Sequence, residues 1–209
     1  MILRLFAGLA LLLGLTAFAL FLTLLGEAPW SPAPMRHLRA MKDRATAPES
    51  LATLTLADFE SLPHRLPLAE YARLEGQGAS FDGYVQRMLT STDADIHLEL
   101  AATPRRPGGP DTSYVTAEVT PQWRGGSDRW AYEGLVAQLR PNHGGASSWD
   151  SGPPRVRVSG WLLYDFQYDA TPTPYSLLHG TRVTGWEIHP VTRIELWSDP
   201  LGRFVDVTR

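Results

Sequence analysis

The chain has 209 residues, 44% of them hydrophobic and 20% charged, with a formal net charge of −3. That balance excludes a disordered chain and leaves room for one domain with a real core, not for two large ones. No basic excess of the kind that phosphate contacts demand is visible, so nucleic acid is not an expected partner, and the lack of cysteine removes disulfides, thiolate nucleophiles and Cys-based zinc sites.

Leu5 to Gly26 is apolar apart from Thr16 and Thr23. As a helix, such a run is long enough for the roughly 30 Å of hydrocarbon in a bilayer. Ala17-Phe18-Ala19 has the residue types of a signal-cleavage site, but Leu20-Phe21-Leu22 continues the apolar run beyond it. Residues 1–26 are therefore read as an uncleaved transmembrane anchor that meets the membrane through residues 5–26, with a cleaved signal peptide as the alternative. Arg4 favours a cytoplasmic N-terminus, while Arg36, Arg39, Lys42 and Arg44 pull the other way from further off. The expected location is a single-pass membrane protein with a periplasmic or extracytoplasmic domain, or a secreted protein after cleavage.

Residues 27–77 begin with Pro29, Pro32, Pro34 and Pro48 among small and charged residues, the composition of a tether. Thr55 is placed to cap a short helix through Leu62, and Pro63 and Pro67 interrupt the chain beyond it. From residue 78 to 199 the pattern turns β-rich. Phe81–Leu89 reads as a first strand and Asp93-Ala94-Asp95 as a turn. Ile96–Leu100 alternates apolar and polar residues as a half-buried strand does, and Tyr114–Thr120 repeats the pattern. Tyr132, Leu135, Val136 and Leu139 share one face of a helix that Ser127 would cap and that Pro141 and Gly144 would end. Arg155–Phe166, with a bulge or bend at Gly160, and Val183–Trp197, with Pro190 inside it, are the fourth and fifth strands. Residues 200–209 form a C-terminal tail. Three strands, a helix and two strands match the order of a five-stranded OB-like barrel, so the expected fold class is mainly β, behind an N-terminal transmembrane or signal helix. A small β-sandwich is the rival.

The segments Val156-Arg157-Val158-Ser159-Gly160-Trp161-Leu162-Leu163-Tyr164-Asp165 and Gly185-Trp186-Glu187-Ile188-His189-Pro190-Val191-Thr192 resemble a group of exported or membrane-anchored bacterial proteins of uncharacterised function. Asp95-Ile96-His97-Leu98 and Val119-Thr120-Pro121 are similar to the early strands of that group. The resemblance implies an OB-like barrel and export. It brings no activity and no catalytic residue.

His97, Glu118 and His189 lie on predicted strands. Brought together, two imidazoles and a carboxylate would bind a divalent metal or act in acid–base hydrolysis. No HExxH, Walker or GxSxG motif accompanies them, and the plainer reading has both histidines hydrogen-bonded within the fold. Trp161 and Trp186 offer a stacking platform for a ligand, or simply core. Together these features point to a non-enzymatic binding or assembly module that meets a protein or oligomeric ligand on an open barrel face, with Trp161, Trp186, His97, Glu118 and His189 as ligand-binding candidates and with no cofactor, metal or catalytic residue assigned. A metal-dependent hydrolase of the phosphodiester type, using His97, Glu118 and His189, is the first alternative. Single-strand nucleic-acid binding is the second.

Overall fold

The computed structural model describes residues 2–24, 26–91, 93–104, 112–125, 127–139, 152–169 and 181–207. The chain divides into two compact units, Met1–Lys42 and Asp43–Arg209.

The first unit holds two helices, α1 (Ile2–Leu24) and α2 (Ala33–Lys42). Leucine and alanine favour helix throughout α1. Thr16 and Thr23 turn their hydroxyls back onto the carbonyls of Leu12 and Ala19, each at 2.8 Å. The helix stops at Leu24, and Gly26, at φ 75°, belongs to the turn beyond it. Among the described residues no helix is long and apolar enough to cross a membrane, which corrects the transmembrane segment expected over residues 5–26. The prolines that suggest a tether include Pro34 in the first turn of α2, where a helix has no use for the missing N–H.

The second unit opens with β1 (Leu51–Thr53), α3 (Leu56–Ser61) and α4 (Leu68–Leu74). Thr55 caps α3 in a reciprocal capping box: its hydroxyl accepts from the Asp58 N–H at 3.1 Å, while Asp58 accepts from the Thr55 N–H at 2.8 Å. The strands β2 (Gly78–Thr90), β3 (Ile96–Ala101) and β4 (Tyr114–Val119) come next. After them come α5 (Pro121–Arg124), a 3-10 turn over Asp128–Trp130 and α6 (Tyr132–Leu139), which buries Leu135, Val136 and Leu139. The unit ends with β5 (Arg155–Tyr164), a second 3-10 turn over Phe166–Tyr168, β6 (Arg182–Ser198) and β7 (Arg203–Asp206). The expected helix stops Pro141 and Gly144 lie outside the described residues.

All seven strands join one mixed sheet. β1 pairs in parallel with β2, and β4 pairs in parallel with β6, while the other pairings are antiparallel. The long β2 pairs on both of its edges: Gly78–Tyr84 pairs with β5 on one, and Tyr84–Thr90 pairs with β3 on the other, with a register shift between Val85 and Arg87. Pro190 suggests a bulge or an edge position, and of the two the structure has the irregularity, in a strand that is interior. β6 accommodates the proline at a register irregularity opposite Gly160, where a Cβ would stand 2.2 Å from the Pro190 carbonyl oxygen.

This architecture corrects the expected fold class. The protein is a mixed α/β structure, with six α-helices beside a seven-stranded sheet among the described residues, and not a mainly β, five-stranded OB-like barrel with one helix behind a transmembrane segment. The discrepancy has a physical source. Alternation reports that a segment is extended, but not which strands pair with it, so the parallel β1 and the hairpin strand β7 read as linker and tail. The core lies on one face of the sheet, where Phe81, Val85, Met88, Leu98, Val115, Ala117, Val158 and Ile188 meet Phe59 of α3 and Leu135 of α6.

Candidate metal centre

Inward-pointing Ile96, Leu98 and Leu100 leave His97 and Glu99 on the opposite face of β3, and Ala117 and Val119 leave Thr116 and Glu118 there on β4. The β3–β4 register sets His97 directly across from Glu118. The β4–β6 register pairs Thr116 with Glu187 and Ala117 with Ile188, so the next step along brings Glu118 beside His189. One polar row therefore crosses three strands. Asp95 joins it from the turn before β3, where Ala94 takes a φ of 67° and the Ser91 N–H donates to the Asp95 carbonyl at 3.0 Å.

The distances within the row are short. Glu118 Oε1 lies 3.0 Å from His97 Nδ1, and Glu118 Oε2 lies 3.3 Å from His189 Nδ1. Glu187 Oε1 lies 2.9 Å from the same His189 nitrogen, and Arg182 donates to Glu187 Oε2 at 2.8 Å. On the other side of the ring, His189 Nε2 lies 3.4 Å from Asp95 Oδ2. It has no well-formed hydrogen bond, and His189 is completely buried. Asp95, Glu118 and His189 each present one ligand atom within 4.8 Å of the others, all three residues being buried.

Burial opposes a positive charge on His189. The contacts with Asp95 and Glu187 and the charges of Glu118 and Glu187 outweigh it, and the imidazole pKa is pushed up to about 10. Burial raises the carboxyl pKa of Asp95. The imidazole opposes that rise, and the neighbouring Asp93 and Glu118 add to it.

The donor set suits a divalent ion. One imidazole with two carboxylates is the mixed nitrogen–oxygen environment that zinc or manganese accepts. A buried histidine whose Nδ1 is held by a carboxylate, itself held by an arginine, has the outer-shell arrangement that orients a ligating Nε2. The group reaches solvent at one rim, through the His97 side chain (20% exposed) and that of Glu118 (11%).

Of the residues singled out in the sequence, Glu118 and His189 come together, and His97 stands one step outward as the partner of Glu118. Asp95, which completes the triad, reads in the sequence only as a turn residue. The signal that could find it is an Asp two residues before His97, on the same face of an alternating strand. Trp186 is fully buried, stacks on Tyr164 at 4.9 Å and donates its Nε1–H to the Pro63 carbonyl at 2.9 Å. Trp161 donates to the Thr46 carbonyl at 2.6 Å, and the Arg44 guanidinium lies 4.5 Å over its ring. The two tryptophans do not share a platform, and the open barrel face expected to host an oligomeric ligand is not found among the described residues. The buried triad also overturns the expectation of a non-enzymatic binding or assembly module.

No protein-family model matches the chain, and no curated protein matches it. The resemblance to exported OB-like proteins is therefore not supported as a family assignment, and the seven-stranded mixed sheet does not bear it out.

Proposed function

We propose that the protein is a divalent-metal-dependent hydrolase whose metal is held by Asp95, Glu118 and His189. The observation that carries this reading is His189 Nε2, a fully buried nitrogen with no hydrogen-bond partner, facing a carboxylate across 3.4 Å while Nδ1 is fixed from behind by Glu187. A buried polar atom left without a partner carries a desolvation cost of about 1–3 kcal/mol, which a metal bond would relieve. Bound there, a divalent ion would supply a Lewis acid and lower the pKa of a water molecule. His97, at the solvent-reaching rim and hydrogen-bonded to Glu118, is the group placed to exchange a proton with bulk water.

The test is calorimetric titration of the metal-stripped protein with zinc and manganese, followed by hydrolysis of bis(p-nitrophenyl) phosphate with and without the bound ion. One ion per chain is expected, with binding lost in Asp95→Asn and His189→Gln, and with turnover that needs the metal and falls in His97→Gln. Failure of either ion to bind at micromolar concentrations would overturn the metal centre. Binding without any metal-dependent hydrolysis would overturn the hydrolase.

A further inference from the structure

A second constellation lies apart from the triad's residues, where the Pro63–Leu66 segment meets the end of the 3-10 turn after β5. His64 Nδ1 sits 2.5 Å from Asp169 Oδ1. The Tyr164 hydroxyl donates to the other oxygen, Asp169 Oδ2, also at 2.5 Å. That hydroxyl in turn accepts the Arg65 N–H at 2.7 Å. Arg65 takes a φ of 54°, a left-handed conformation that a non-glycine side chain adopts at a cost. With the Trp186 hydrogen bond to the Pro63 carbonyl, three consecutive residues of an exposed segment are each pinned, and two of the pins come from stacked, buried aromatic side chains. The Asp169 side chain is 4% exposed, whereas that of His64 is 33% exposed. The hydrogen bonds from His64 and Tyr164 outweigh burial and hold the Asp169 carboxyl below its ordinary range, so it remains an acceptor at neutral pH.

This arrangement orients one face of an imidazole. A buried carboxylate that accepts from Nδ1–H fixes the tautomer in which Nε2 carries the lone pair. An exposed histidine serving only to tie down a loop needs neither the second clamp on its carboxylate nor the left-handed residue beside it.

We infer that His64 and Asp169 form a second, metal-independent proton-transfer site, with His64 Nε2 as general base and Asp169 as its positioning residue, acting on activated carboxylic esters. His64 takes a proton from a water molecule as the water oxygen bonds to the ester carbonyl carbon. The tetrahedral intermediate then expels the alkoxide or phenoxide, the carbon–oxygen bond breaks, and the imidazolium returns the proton to the leaving group. The net reaction is ester plus water giving acid plus alcohol.

The experiment uses p-nitrophenyl acetate with the full chain in excess EDTA, which silences any metal centre. The wild-type rate is expected to exceed that of His64→Gln by about 10-fold or more, within the general acid–base range. Asp169→Asn, which keeps His64, is expected to lose a comparable factor. Equal rates for wild type and His64→Gln would overturn the proposal. Because Asp169→Asn also removes structural bonds, the histidine tautomer is read in the unaltered protein by nitrogen-15 NMR. A neutral His64 protonated on Nδ1 supports the site, and one protonated on Nε2 overturns it whatever the variants do.

Discussion

Raising the pH from 7 to 9.5 is expected to strip stability from the metal-free protein through His189 alone. Its pKa is about 10 in the fold against 6.5 for the free side chain. Below 6.5 both states hold the proton, and the stabilisation from the surrounding carboxylates is fully present. Between the two values the unfolded chain has released its proton while the folded one keeps it, so unfolding becomes easier as the pH rises, by about 1.4 kcal/mol per pH unit for one proton. Across 7 to 9.5 that amounts to about 3 kcal/mol, a large share of the 5–15 kcal/mol typical of a domain. Burial raises the carboxyl pKa of Asp95, and Tyr164 is pushed up to about 12, beyond the window. Urea unfolding in EDTA at pH 7, 8 and 9.5 measures the loss as a falling midpoint at constant slope. His189→Gln is expected to be less stable at pH 7 and to show little of the pH dependence. A wild-type midpoint that stays level from pH 7 to 9.5 would refute the account of His189 as a buried imidazolium.

Glu187→Gln weakens the outer-shell hold on His189 without touching the triad. Zinc affinity by calorimetry is expected to fall 10- to 100-fold, where Asp95→Asn abolishes binding. Gly160→Ala places a Cβ 2.2 Å from the Pro190 carbonyl, a backbone atom that cannot swing aside, and chemical denaturation is expected to show a loss of roughly 1–3 kcal/mol. Thr55→Ala removes one half of the capping box on α3 and is expected to lower stability by about 1 kcal/mol, read as a smaller urea midpoint.

Local elements are legible in the sequence wherever one segment carries its own signal. The strict alternation of Ile96–Leu100 lies within β3, the Thr55 cap starts α3, and Leu135, Val136 and Leu139 are the buried face of α6. The features that escape are relational. Nothing local in Leu51–Thr53 announces that a three-residue strand will pair in parallel with β2, and the turn before Arg203 gives no partner for β7. The same limit governs the site. Glu118 and His189 are candidates by residue type, but their meeting depends on the parallel β4–β6 pairing between strands far apart in the chain. Asp95 is hidden by a second role, because the backbone of the same residue closes the turn that Ser91 stabilises.

The charge on the outer face of β3, β4 and β6 argues for an ion in place of a proton. Arg182 balances Glu187 and His97 meets Glu118 only from the rim, which leaves Asp95 and Glu118 around the one buried imidazole. With His189 protonated, two carboxylates face one cation and a net negative charge stays buried, a costly arrangement; burial raises the carboxyl pKa of Asp95, and the charge of Glu118 adds to the rise. A divalent cation with a neutral imidazole brings the same set to zero. Metal and proton therefore compete for His189, and binding must release the proton that the metal-free site holds. Between pH 7 and 8, zinc titrations in two buffers of different ionisation enthalpy are expected to report close to one proton released per ion, and the affinity is expected to rise about 10-fold per pH unit as long as the site starts protonated. An affinity independent of pH, with no proton released, would mean that the ion binds without His189 and that the triad is not its site.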